Sequence, residues 1–278
     1  LKVFKEKVAL SNYLEKKSII GFVPTMGALH QGHISLIKMS VSQCSLTVCS
    51  IFVNPAQFNN KNDLLNYPRT TEKDLQLLEQ AGCDVVFIPE ANEMYPAGDT
   101  LEFYDFGSIE KVMEGEHRPG HFNGMANVVE RLFRIVRPDF AFFGEKDFQQ
   151  LCVVQQLVKM LHLPITIVPG KIIREKDGLA MSSRNILLSD EERRQAAGIY
   201  KTLCLVKDSC NTHSLDGLLR LAQKHLQQYN LIKPEYIQFA NANDLAEVNS
   251  FEQGKAVMIF IAVWIGKVRL IDNMLIYE

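Results

Sequence analysis

The sequence predicts an α/β protein in two parts: a parallel sheet flanked by helices over residues 1–174, and a smaller α+β unit over residues 175–278. Three observations carry this. Short apolar runs, several rich in β-branched residues, alternate with helical stripes through the first part, as buried parallel strands do. Several of these runs end in polar, Gly- or Pro-containing residues, where open α/β sheets bind ligands. Beyond residue 185 the order changes to two helices followed by three strand-like runs, the pattern of an α+β unit.

Residues 1–17 read as a short amphipathic helix with Val3, Val8, Leu10 and Leu14 on its stripe. Ile19, Ile20, Phe22 and Val23 then form a strand that Pro24 and Gly27 break, and Ile34, Leu36, Ile37 and Val41 give the stripe of the next helix. Leu46–Val53 is a second strand, running into Asn54-Pro-Ala-Gln-Phe58. Thr71-Glu-Lys-Asp74 reads as a capping box for a helix to Ala81, and Asp84–Ile88 as a third strand. Residues 101–116 show no clear period. Phe122, Met125, Val129, Leu132, Phe133 and Val136 mark a helix; Arg131, Arg134 and Arg137 lie off its stripe and read as solvated charges. Asp139–Phe143 is a strand entering Gly144-Glu-Lys-Asp-Phe-Gln-Gln150 and a helix to Leu161, and residues 165–173 supply the last strand of this part. Residues 174–185 look like a flexible linker. Ser189-Asp-Glu-Glu192 caps a helix to Val206, a second helix spans 214–229, and strands follow near 235–240, 256–264 and 267–277.

The bulk numbers exclude several classes. A net charge of −2 gives no electrostatic case for nucleic acid, so an anion site must be local. The longest apolar run, Ala256–Ile265, is half a membrane span, and the lysine-bearing first twenty residues show no secretory pattern. None of the six cysteines forms CxxC, which points to reduced, buried thiols, no zinc and a cytoplasmic protein.

The most chemically suggestive stretch is the strand–loop–helix carrying His30-Gln-Gly-His33. A helix N-terminus presents free N–H groups and a positive dipole end to an anion, and glycines at 27 and 32 allow close approach to the backbone. His30 and His33 add donors for the same anion. A structural loop with two surface histidines fits the spacing equally well. A zinc-protease helix is disfavoured because the pair lacks the i,i+4 spacing and the glutamate, and neither a P-loop nor a GxGxxG fingerprint is present. Other candidates are Gln57 after the second strand, Arg118 as a carboxylate or phosphate clamp, Lys146 as a phosphate counter-charge, Asp147, and the donors Ser182, Ser183 and Arg184. Asp74 is a dipole partner or a residue near magnesium.

Five separated strings give these positions a common origin: PTMGALHQGH (24–33), FVNPAQF (52–58), RPGHF (118–122), GEKDFQQ (144–150) and DGLAMSSRN (177–185). Together, and in this order, they resemble the pantoate–β-alanine ligase family, whose HxGH signature is that of the nucleotidyltransferases that cleave ATP between its α- and β-phosphates. The resemblance implies a Rossmann-like first part and a lid-like second one. It also implies formation of pantothenate from pantoate, β-alanine and ATP through a pantoyl adenylate. ATP is the co-substrate, with Mg2+ held mainly by its phosphates, and no tightly bound organic cofactor or nucleic acid or membrane partner is implied. A homodimer is implied by the resemblance alone.

Carried over residue by residue, the ATP contacts are Met26, Gly27, Ala28, Leu29, His30, Gln31, Gly32, His33, Gly144, Glu145, Lys146, Asp147, Ile173, Met181, Ser182, Ser183 and Arg184. Pantoate falls to Gln57 and Gln150, with Asn54 and Arg118 nearby. His33, His30, Lys146 and Arg184 are the catalytic candidates, His33 as proton donor. No direct protein metal ligand is assigned. The chain departs from the family pattern at Asn59 (usually Gly), Asn127 (usually Thr) and Arg131 (usually Lys). A related nucleotidyltransferase with a phosphorylated substrate, and a nucleotide sensor without turnover, remain as alternatives.

Overall fold

The computed structural model describes residues 1–278, residue 61 by its backbone only. The first part is a six-stranded, all-parallel sheet. Its strands are β1 (Lys2–Phe4), β2 (Ile20–Thr25), β3 (Leu46–Ile51), β4 (Val85–Phe87), β5 (Phe140–Gly144) and β6 (Thr166–Gly170), in the order β1-β4-β3-β2-β5-β6. The helices are α1 (Lys7–Leu14), α2 (Gln31–Gln43), α3 (Lys61–Asn66), α4 (Thr71–Gln80), α5 (Ala91–Met94), α6 (Glu114–His117), α7 (His121–Val136) and α8 (Phe148–Met160).

The strands alternate their side chains between two cores. Phe22 of β2 packs with Leu10, Phe133 and Leu157 from α1, α7 and α8, while Val23 packs with Ile37 and Leu78 from α2 and α4. Burial on both faces explains the near-continuous apolar strands. The chain winds outward from β2 through β3 and β4, then returns to β5 on the other side of β2. That reversal opens a crevice at the carboxyl ends of β2 and β5, where the HxGH and GEKD segments begin.

The second part is an antiparallel sheet, β7 (Ile232–Asn241), β8 (Val257–Ile265) and β9 (Val268–Tyr277), packed on α9 (Asp190–Ser209) and α10 (Leu215–Leu226). β8 explains the long apolar run. Val257, Ile259, Ile261 and Val263 face α9 and α10, whereas Met258 and Phe260 pack with Met113 and Cys152 of the first part.

Several local expectations change. The first residues are not helical throughout: Lys2–Phe4 pair in register with Val85–Phe87, and α1 starts only at Lys7. The capping box at Thr71 does not form. Thr70 is the N-cap, and Asp74 is drawn into the fold instead. The box at Ser189 and Glu192 does form. Residues 174–185 are a pinned turn rather than a loose linker, with Arg174 bridged to Ala180 and Asp177 ion-paired to Arg193 at 2.7 Å. Arg131 is not a free solvated charge; it bonds the Met94 carbonyl at 2.8 Å, pairs with Asp99 and lies over the Tyr95 ring. All six cysteines are free, and Cys44 and Cys204 are only half-buried. No helix among the described residues is long and apolar enough to cross a membrane.

Candidate active site

A cavity of about 230 Å³ lies between the carboxyl ends of β2 and β5 and the face of β9. All five sequence strings reach its wall, among them His30, Gln57, Arg118, Lys146 and Ser182.

The HxGH segment is built by its own histidines. His30 is the N-cap of α2, its Nδ1 accepting from the Gly32 N–H at 3.1 Å, and the His30 N–H donates to His33 Nδ1 at 3.3 Å. The two rings sit 4.1 Å apart. Because each Nδ1 accepts, each neutral ring carries its proton on Nε2, which is left as a donor. Burial, reinforced by Lys146, pulls the His30 pKa down to about 4. Burial, with His30 and Lys146 adding, pulls His33 well below the usual range. Both rings are therefore neutral donors at pH 7. Gly32 is required sterically, since a Cβ there would stand 2.8 Å from the His30 ring.

The loop before the helix is held from behind. Asp74, 1% exposed, accepts from the Ala28 N–H at 2.9 Å, the Leu29 N–H at 2.8 Å and the Thr70 hydroxyl at 3.0 Å. This backbone-holding role differs from both the dipole-partner and the near-magnesium readings, because the N–H groups Asp74 serves lie 45 and 46 residues away. Ser183 donates to the Ala28 carbonyl at 2.9 Å, and Arg184 pairs with Asp63 at 3.0 Å. The MSSR segment is thus already fastened over the HxGH loop.

Gln57 follows β3 in a 3-10 turn, Pro55–Gln57. Asn54, 1% exposed, donates to Gln57 Oε1 at 3.1 Å and to the Gly124 carbonyl at 3.0 Å, and accepts from the Tyr95 hydroxyl at 2.8 Å. These bonds orient the Gln57 amide so that, among the described residues, its NH2 group meets only the Met26 sulfur, a weak acceptor, at 3.1 Å. His121 secures the Gln57 carbonyl at 2.8 Å, and burial lowers its pKa to about 4. Gly124 lets α7 come this close, since a Cβ would overlap the Ala56 carbonyl at 2.1 Å. Asn59 bonds the Pro119 carbonyl, and Asn127 ties α7 to Glu102, so both departures from the family pattern pin loops.

Of the two glutamines on α8, Gln149 is consumed by the Glu114 N–H at 3.0 Å and the Val112 carbonyl at 2.9 Å. The Gln150 amide makes no hydrogen bond to the described residues and stays free at the wall. Asp147 stands at the N-cap of α8 but its side chain makes no cap hydrogen bond; it faces Lys146 at 3.5 Å. Met26, Gly144, Ile173 and Met181 line the cavity with the charged candidates. Gly27, Ala28, Leu29, Gln31, Glu145 and Asn54 do not line it.

The second part supplies wall residues that sequence reading missed. Ile271, Asp272 and Asn273 of β9, with Tyr236 of β7, face the cavity. Glu114 accepts from Arg269 at 2.7 and 2.8 Å and from the Tyr236 hydroxyl at 2.8 Å. Burial alone would raise the Glu114 pKa, but Arg269, Arg118 and Tyr236 bring it down to about 2. Arg118 lies 3.4 Å from this saturated carboxylate and has no other side-chain partner among the described residues, so it keeps donors for an anion. No motif announced these residues, because strand residues in a strongly apolar segment carry no local signature.

The arrangement can bind a polyanion through neutral N–H donors and a few cations, with neutral amides beside it for a hydroxylated acid. The family model for pantoate-beta-alanine ligase matches residues 2–275. A pantothenate synthetase of Porphyromonas gingivalis is 46% identical over 278 residues, covering 99% of each chain. The crystal structure of a pantothenate synthetase from Thermus thermophilus matches with a TM-score of 0.95 at 37% identity over 100% of both chains. A pantoate-beta-alanine ligase from Francisella tularensis, complexed with beta-gamma ATP and beta-alanine, matches with a TM-score of 0.81 at 35% identity, covering 99% of this chain and 97% of its own. The chain therefore belongs to the pantoate-beta-alanine ligase family.

Proposed function

We propose that the chain condenses pantoate with β-alanine at the cost of ATP, through a pantoyl adenylate. The pantoate carboxylate attacks the α-phosphorus and expels pyrophosphate. The β-alanine amine then attacks the acyl carbon, giving pantothenate and AMP and losing a proton. Both nucleophiles belong to substrates, so the site has only to position them and stabilise charge.

The observation that carries this reading is the convergence of all five strings on one cavity. His30 and His33 donate through Nε2 to the phosphates, His33 acting on the developing charge at the α-phosphate. Lys146 and Arg184 add positive charge, and Ser182 and Ser183 belong to the phosphate clamp. Mg2+ enters as part of Mg-ATP, carried on its phosphates; of the cavity carboxylates, Glu114 and Asp272 are engaged by Arg269 and Arg174, and Asp147 faces Lys146 at 3.5 Å. Gln57 and Gln150 grip the pantoate hydroxyls, and Arg118 holds a carboxylate or phosphate nearby. Residues 1–174 form the catalytic unit and 175–278 the lid. The protein works as a cytoplasmic homodimer.

Pyrophosphate release from Mg-ATP tests the reaction. Release should require pantoate, and continuous turnover with AMP should also require β-alanine. Release with a phosphorylated acid only would favour a related nucleotidyltransferase. ATP binding with no release would leave a nucleotide sensor.

A further inference from the structure

We infer that Asn273 is a positioning residue for Lys146, and that with Asp272 it makes β9 the brace against which both phosphate-contacting segments are set. The inference rests on the reading of Lys146 as a phosphate donor. Asn273 is 4% exposed. Its Nδ2 donates to two successive carbonyls, Glu145 at 2.9 Å and Lys146 at 3.0 Å, in the short turn that carries Lys146. The two donors lie 128 and 127 residues from those acceptors, so the other part of the molecule fixes this turn.

The neighbouring residue does the same for the second segment. Asp272, 3% exposed, accepts from Arg174 at 2.6 and 3.0 Å, and from the Asn273 N–H at 2.8 Å. Arg174 also donates to the Gly178 carbonyl at 3.1 Å, closing the turn that delivers Met181–Arg184. The Met181 N–H returns to the Ile173 carbonyl at 3.0 Å. Two adjacent residues of one strand therefore fix the Lys146 turn and the MSSR approach relative to each other. An amide suits the first task, because its two N–H protons match two carbonyls without adding charge beside the lysine.

The test is Asn273→Asp, which removes both donors at constant shape. Three quantities are read: the rate of pantoate-dependent pyrophosphate release, the affinity for a non-hydrolysable ATP analogue, and the melting curve. Release should slow about tenfold or more, the scale of a small misplacement of a catalytic group. The analogue should bind more weakly, the apparent pantoate KM should hold, and melting should stay cooperative. In a Lys146→Ala background the same substitution should add less than about threefold, because the two act as a unit. A release rate and analogue affinity within about twofold of the unmutated protein would overturn the inference, as would the full loss reappearing without Lys146. If Asn273→Asp fails to melt cooperatively, Asn273→Ser, which shortens the donor without a charge, is judged by the same outcomes. No pantoate-dependent release from the unmutated protein would sink the ligase reading instead, while the analogue affinities would still decide the role of Asn273.

Discussion

The HxGH loop and strand β9 meet across one cavity but are made in opposite ways. The loop is local: His30 caps the helix it opens, His33 lies three residues on, and Gly32 makes room for the ring between them. β9 is non-local. Its useful atoms are an amide and a carboxylate that mean nothing until β7, β8 and β9 are paired and docked on the parallel sheet. A site of this kind keeps its chemistry in short segments and its alignment in distant ones. Damage to the first should remove rate at intact stability. Damage to the second should cost stability and alignment together.

The largest effect is expected from Arg174→Leu, which strands the buried Asp272 carboxylate. Removing one partner of a buried ion pair costs about 3 kcal/mol or more, to be read as a lower denaturant midpoint at constant m. A loss below about 1 kcal/mol would mean that β9 is held by packing rather than by this pair. His33→Ala should slow adenylation by about 10²-fold, the loss of one transition-state donor, with the denaturation midpoint little changed. A near-normal rate of pyrophosphate release would remove His33 from the chemistry. Gln57→Ala is expected to raise the apparent pantoate KM about tenfold, the scale of a lost buried hydrogen bond, while ATP affinity stays the same; an unchanged pantoate KM would count against its role.

The smallest expected effect concerns pH. The folded pKa of His30 is depressed to about 4, and His33 and His121 move in the same direction. Between about 4 and 6.5 the unfolded chain therefore binds more protons than the folded one. The contribution of the neutral rings is complete above pH 6.5 and is lost as pH falls toward 4. An NMR titration should place the His30 midpoint near 4; a midpoint at 6.5 would mean that the ring is solvated and charged in acid, and that the paired-histidine geometry does not hold in solution.

Much of this was legible beforehand. The strand–loop–helix around residues 19–37, the polar turns after β3 and β5, and the capping box at Ser189 all follow from spacing and end signals within about a dozen residues. Asp74 was visible only as a helix-start acid or a residue near magnesium, because its three partners come from two separate loops. Lys2–Phe4 was misread as helix because three residues show no period, and only the edge of β4 makes them a strand. Asn54 was placed near pantoate by resemblance alone; it caps the turn after β3, and its larger role is to orient Gln57 against α7.

By itself the sequence determined the α/β class, the position of the candidate anion-binding loop and the residue types that could hold phosphates, since short-range periodicity and fixed spacings encode these. Tertiary structure decided which of those residues face the cavity, that Asn54 and Asp74 stand behind it, that Gln149 is spent on bracing, and that β9 completes the wall. The physical reason is that hydrogen bonds between groups more than a hundred residues apart, such as Asn273 to Lys146, leave no pattern along the chain. They exist only once burial of both faces of β8 has brought the two parts together.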